Sequence, residues 1–162
     1  MKKTFSGGIH VPSCKNTRNI PIVDFPAPSK VAIPMQQHIG APAMPLVKKG
    51  DYVKVGQIIG DFKDALSCPV HASISGTVLD IEMRNSYNGY GKTAFVIIEN
   101  DYTNTLSDSI TPYTKSIKDI TSDEVIEIVR NAGISGMGGA SFPTYAKIQS
   151  AIGKATDRKS VV

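Results

Sequence analysis

Between Val31 and Asn100 the apolar residues come in short runs, VAIPM, PLVKKGDYVKVGQIIG, ASISGTVLDIEM and TAFVIIEN, each broken by turn formers. The runs are rich in β-branched residues, and Gly50, Gly56, Gly60 and Gly76 punctuate them, which predicts short strands rather than helices. Pro34, Pro45 and Pro69 cannot donate within a ladder, so they should mark strand ends or edges. Residues 31–100 therefore read as a small all-β unit. Ahead of it, residues 1–30 carry four prolines and no sustained period; they read as an extended arm with one short strand near Ile9 to Val11. After it, residues 101–120 are rich in Ser, Thr and Asp and read as a surface linker.

The period changes at Thr121. Thr121-Ser122-Asp123-Glu124 is a capping-box sequence, with Thr121 as the N-cap and Glu124 reaching back. Val125, Ile126, Val129 and Ala132 then form one apolar stripe, and Gly133 suits the left-handed position that ends a helix. A second helix is expected from about Pro143 or Thr144, carrying Tyr145, Ile148 and Ile152, because proline is compatible with a first helical turn. Residues 121–162 are thus the helical opening of a second unit.

Composition narrows the function classes. The chain has 162 residues, 41% hydrophobic and 20% charged, which suits a folded rather than a disordered chain. No apolar run approaches the roughly 18 residues of a membrane span, and no signal core follows Met1-Lys2-Lys3, so the expected location is cytoplasmic or peripheral to a membrane. Two cysteines, Cys14 and Cys68, are too few for a disulfide scaffold or a four-thiolate iron–sulfur cluster. The net charge is +4, with scattered lysines, 7% aromatics and no Trp, so no basic-aromatic strip points to nucleic acid.

The strongest candidate chemistry lies in GISGMGGASFPTYAK, Gly133 to Lys147. Glycines remove side chains and let successive N–H groups converge on an anion, and the N-terminus of the next helix adds partial positive charge. Lys147 lies roughly one turn into that helix, within reach of a phosphate. The stretch lacks the G-K-[ST] of a P-loop, and no strand precedes it as a dinucleotide fingerprint requires. A cofactor cradle and a packing turn between helices both fit it.

Other groups offer less. His10-x3-Cys14 and Cys68-x2-His71 have zinc-like spacings, but nothing in the sequence brings the two pairs together, and no metal site is expected. His38 has no nucleophile beside it and reads as a packing or turn residue. Asp123, Glu124 and Glu127 read as capping and solvated helix positions rather than a catalytic carboxylate pair.

The motifs taken together resemble known families. VKKGDYVKVGQIIG followed by PVHASISGTVLDI is similar to the barrel-sandwich hybrid of biotinyl and lipoyl domains. Carrier versions of that fold bear a modified lysine at a hairpin tip, which here falls near Asp64 to Cys68. Lys63 is close but lacks the flanking methionines of a biotin acceptor, so the resemblance implies a barrel without a prosthetic group. GISGMGGASFPTYAK resembles the flavin-binding loop of the NADH-oxidising subunit of respiratory complex I, G-L-R-G-R-G-G-A-G-F-P-T-x-x-K. With FSGGIHVP, IPMQQHIGAPAMPLVKKGDYVKVGQIIG and PVHASISGTV, nearly the whole chain resembles the N-terminal part of the RnfC family, subunits of the ion-translocating Rnf electron-transport complex.

That resemblance implies a mainly β fold: a barrel-sandwich hybrid followed by the first helices of an α/β flavin-binding domain, truncated here before the cluster cysteines. It implies a peripheral subunit on the cytoplasmic face of the membrane that oxidises NADH on FMN. Electrons would pass through 4Fe-4S clusters to other Rnf subunits, and ferredoxin would be served through the complex. By the same resemblance Gly136, Gly138, Gly139 and Ala140 form the loop backbone against FMN, Phe142 is the aromatic after it, and Lys147 points to the flavin phosphate. Met137 stands where the complex I loop has arginine, and Ser141 replaces a glycine. The truncated chain is expected to hold no cofactor by itself. The alternative is a non-catalytic barrel module whose glycine loop merely packs.

Overall fold

The computed structural model describes residues 12–86, 91–116 and 118–154. The strand expected near Ile9 to Val11 and the zinc candidate His10 lie outside these residues. Among the described residues seven strands, all paired antiparallel, make two sheets. One is four-stranded, in the order β1 (Lys30–Pro34), β7 (Lys92–Asn100), β6 (Gly76–Asn85), β3 (Tyr52–Val53). The other runs β2 (Met44–Pro45), β4 (Ile58–Asp61), β5 (Val70–His71). Both sheets feed one core: Ile33, Val53, Ile59, Val70, Val78, Val96 and Ile98 pack together with Met35, Ala43, Ala72 and Ile74. The prolines sit where ladder chemistry requires, Pro34 and Pro45 closing β1 and β2, and Pro69 just before β5.

The GDYVKVGQ stretch encodes two successive turns of the same design. Asp51 accepts from the Lys48 N–H at 2.9 Å, and Gln57 Oε1 accepts from the Lys54 N–H at 3.0 Å. Between them Val53 points wholly into the core. The Ser75-Gly76 turn is equally determined. Gly76 has φ 150°, and an added Cβ would collide with the Glu99 carbonyl oxygen, so the close approach of β6 to β7 requires glycine there. A bulge at Leu79 shifts the register between Val78 and Asp80; Val78 is buried, Asp80 stays exposed and Ile81 packs on the core.

Residues 101–116 are largely exposed, and their first part is tied to the barrel. Val55 and Leu106 form a parallel bridge, Lys54 pairs with Asp108 at 2.6 Å, and Asp101 accepts from Tyr52 Oη and Ser75 Oγ at 2.6 and 2.7 Å. Helix α1 (Ser122–Asn131) then begins with the expected capping box: Glu124 N–H donates to Thr121 Oγ1, and Thr121 N–H donates to the Glu124 carboxylate. At its end Gly133 has φ 65°, its N–H reaches Arg130 O at 2.8 Å, and Ile134 N–H reaches Val129 O at 3.3 Å. This is the Schellman pattern. Helix α2 (Thr144–Ala151) follows Pro143 directly.

Candidate functional site

Between the helices the chain makes a closed loop. Ser135 and Pro143 form an antiparallel bridge, Gly136 N–H donates to Phe142 O at 2.9 Å, and Thr144 N–H donates to Ile134 O at 3.0 Å. At the tip Ser141 N–H turns back to Gly138 O at 3.0 Å. The special backbone conformations do not fall where the glycine content suggests. Gly136, Gly138 and Gly139 are outside the left-handed region; within the stretch it is Gly133 and Ser141 (φ 44°) that occupy it. The helix C-terminus demands the first and the tip turn demands the second. That turn explains why a glycine suits the position in the complex I pattern, and serine here carries the conformation at some strain.

Removal of side chains is what the other loop glycines supply. A Cβ at Gly138 or Gly139 would meet nothing within 4 Å, so the fold of this chain does not itself require glycine at either position. Among the described residues, the N–H groups of Met137, Gly138, Gly139 and Ala140 have no acceptor. The four residues are exposed, and Gly138 and Gly139 carry no Cβ, so these donors are open to an approaching ligand. Lys147 Nζ stands 5.6 Å over the Phe142 ring, and an added Cβ at Gly136 would come within 3.3 Å of that ammonium. Gly136, Phe142 and Lys147 thus form one cluster, with Gly138, Gly139 and Ala140 at the adjoining tip. Met137 is fully exposed and adds no charge there.

The barrel lies directly against this element. Ile39 N–H donates to Ala140 O at 3.0 Å, His71 Nε2 donates to Asn131 O at 3.0 Å, and the Cys68 thiol faces Ile134 O at 3.8 Å. Asp61 on β4 holds the Arg130 guanidinium with both oxygens, at 2.8 and 3.3 Å. Beneath the loop a cavity of about 220 Å³ is lined by His38, Cys68, His71, Gly133 and Ser135 among others. His38 is buried as a packing and turn residue: Nε2 accepts from Cys68 N–H at 2.9 Å, so Nδ1 carries the proton and donates to Ile39 O at 3.0 Å. Burial pushes the Cys68 thiol up, the nearby Arg130 charge only partly offsetting it, so the sulfur stays protonated. Cys14 is exposed and Cys68 buried, and among the described residues no three His, Cys, Asp or Glu side chains converge as a metal site.

The sequence singled out the loop but not what positions it. Asp61 and Arg130 belong to no motif in the sequence, and His71 reads only as half of a zinc-like pair. No local signal joins residues 69 positions apart.

The residues present suit a flavin mononucleotide in kind. Unpaired N–H donors and an ammonium serve a phosphate, and an aromatic beside a Cβ-free backbone serves a flat ring. Two thiols so differently placed do not suit an iron–sulfur cluster.

Comparison with known proteins agrees with the fold. Residues 3–103 match the family model described as RnfC Barrel sandwich hybrid domain. The chain is 45% identical over 146 residues to the C subunit of the Na(+)-translocating ferredoxin:NAD(+) oxidoreductase complex of Acetobacterium woodii, covering 90% of this chain and 32% of that protein. It is 43% identical over 149 residues to the C subunit of the proton-translocating ferredoxin:NAD(+) oxidoreductase complex of Clostridium ljungdahlii, covering 91% and 32%. With the C subunit of the ion-translocating oxidoreductase complex of Vibrio cholerae it shares 34% over 151 residues, 93% of this chain and 19% of that protein. The chain thus spans about a third or less of the length of these relatives. A barrel-sandwich hybrid model matched over residues 3–103, with relatives each named as the C subunit of an ion-translocating oxidoreductase complex, assigns this chain to the RnfC family.

Proposed function

We propose that this chain is the N-terminal barrel and first flavin-contacting loop of an oxidoreductase subunit that oxidises NADH on FMN. It would pass electrons through 4Fe-4S clusters to other subunits of an ion-translocating complex that serves ferredoxin, docked peripherally at the cytoplasmic face of the membrane. The relatives support the complex and the overall reaction by their names. The observation that carries the flavin reading is the loop tip: four adjacent N–H groups without acceptors, and two glycines that the chain's own packing does not require. In this reading the backbone of Gly136, Gly138, Gly139 and Ala140 lies against the cofactor, Phe142 borders its ring, and Lys147 neutralises its phosphate. Bound FMN supplies the two-electron to one-electron conversion between hydride and clusters. The residues of this chain bind and orient it. In the arrangement proposed, residues 1–30 are the arm, 31–100 the barrel, 101–120 the connection and 121–162 the start of the flavin and nucleotide domain, with the clusters carried elsewhere in the subunit.

Gly139→Val in the full-length subunit tests this. The backbone at 139 is not left-handed and an added Cβ meets open space, so the substitution should leave the fold intact. Flavin retention should fall by at least about tenfold, because a branched side chain blocks the approach of the ring. Normal FMN content and NADH oxidation, with unchanged circular dichroism, would instead make the loop a packing turn in a non-catalytic barrel module.

A further inference from the structure

We infer that the barrel acts as a brace for the glycine-rich loop, and that Arg130 is the positioning residue through which it acts. The inference rests on the flavin reading only for the consequence it has on cofactor binding; the bracing itself stands on geometry. The end of α1 and the loop tip are both held from the barrel side. Arg130 lies in the last turn of α1, forks onto both oxygens of Asp61 on β4, and carries its guanidinium 5.8 Å over the Tyr145 ring of α2. One side chain therefore joins the barrel to both helices that flank the loop. The two charged groups are only 16% and 10% exposed, so the pair is shielded from solvent, and its planar two-pronged geometry fixes orientation as well as distance.

Three further contacts fall on the same seam. The carbonyl of Asn131, at the end of α1 where no helical partner exists, is taken up by His71 Nε2–H. Gly133 sits so close to the hairpin that an added Cβ would lie 2.5 Å from Pro69 O. The loop tip is tied down by Ile39 N–H to Ala140 O, one residue from Gly139. The β5 side of the hairpin whose tip carries a modified lysine in carrier domains is here folded against the start of the loop, at Cys68 and Pro69. A carrier hairpin must be free to travel; this one is pinned along one side by the neighbouring loop. A binding loop whose donors are fixed before the ligand arrives loses less conformational entropy on binding.

The test uses the full-length subunit, with Arg130→Gln, Asp61→Asn and the double variant. Hydrogen exchange at Gly136, Ser141 and Thr144 should accelerate about tenfold in each, with amides of the β6–β7 ladder unchanged. FMN affinity should weaken by about tenfold in each single variant and no further in the double, since both changes remove one interaction. Arg130→Lys, which keeps the charge and loses the fork, should recover only part of the affinity. Unchanged exchange in the loop would overturn the inference, as would acceleration spread equally to the β6–β7 ladder, the mark of general destabilisation. If wild type holds no FMN, the flavin reading falls, and the loop exchange rates still decide whether the barrel braces the loop.

Discussion

Gly133 and Gly138 show that a glycine count does not say what each glycine is for. Gly133 has φ 65° and a Pro69 carbonyl 2.5 Å from where a Cβ would stand, so backbone conformation and packing both exclude a side chain. Gly138 has neither constraint. Gly133→Ala should therefore cost about 1–3 kcal/mol of stability, combining left-handed strain with a displaced hairpin. Gly138→Ala should leave thermal unfolding unchanged and show its effect only in ligand binding. Calorimetry on the two variants checks this, and equal destabilisation would mean that the loop tip packs more tightly than its open surroundings indicate. Gly133 was legible in the sequence because a helix stripe runs up to it. The roles of Gly138 and Gly139 were not, because a sequence shows missing side chains without showing what approaches them.

At the scale of the element, α1 rests on local chemistry that the sequence displays in full. Thr121 and Glu124 are three residues apart, so their reciprocal bonds need no tertiary information, and the same holds for the Schellman end at Gly133 and Ile134. Hydrogen bonding from Lys115 and from the Thr121 backbone lowers the Glu124 carboxyl from its ordinary 4.5 to about 2. A carboxyl with a lowered folded value stabilises the folded state fully above its ordinary value, and that stabilisation is lost as the pH falls towards the folded value. Helix α1 should therefore fray between about pH 4.5 and about pH 2. Thr121→Ala should cost about 1 kcal/mol and leave a smaller acid-dependent loss of helicity, because half of the capping box is already gone. Circular dichroism followed against pH in the two proteins tests this; identical acid profiles would place the acid sensitivity outside the cap. The apolar stripe of α1 is only half-buried, and its docking through Arg130, His71 and the loop could not be read from periodicity, which reports a face but not its neighbour.

Across the whole molecule, sequence pattern is most informative where the chain folds on itself locally and least where distant segments meet. The twin turns of GDYVKVGQ and the Ser75-Gly76 corner announce the barrel, since each is specified within a few residues. Residues 101–120 illustrate the opposite case. A run of Ser, Thr and Asp reads as linker, yet its first residue is a structural junction. Asp101 N–H donates to Ser75 O, and the Asp101 carboxylate accepts from Tyr52 Oη, Ser75 Oγ, and both the N–H and the hydroxyl of Thr103. One side chain thus joins β3, the corner before β6, and the exit from β7. These hydrogen bonds, Tyr52 first, hold the carboxyl well below the usual range for aspartate. Its stabilising effect is accordingly complete above about pH 4 and declines only in stronger acid. Asp101→Ala should lower the melting temperature by a few degrees and open residues 101–108 to proteolysis, because Thr103 and Thr105 lose the anchor they share through Ser75. The β6–β7 ladder should keep its amide protection, since it runs from the Gly76–Asn100 pair to the Asn85–Lys92 pair and most of it is remote from Asp101. Limited proteolysis with mass mapping, run beside a thermal melt, decides the matter. An unchanged cleavage pattern would transfer the junction to the Val55–Leu106 bridge and the Lys54–Asp108 pair, which hold the same segment independently of the carboxylate.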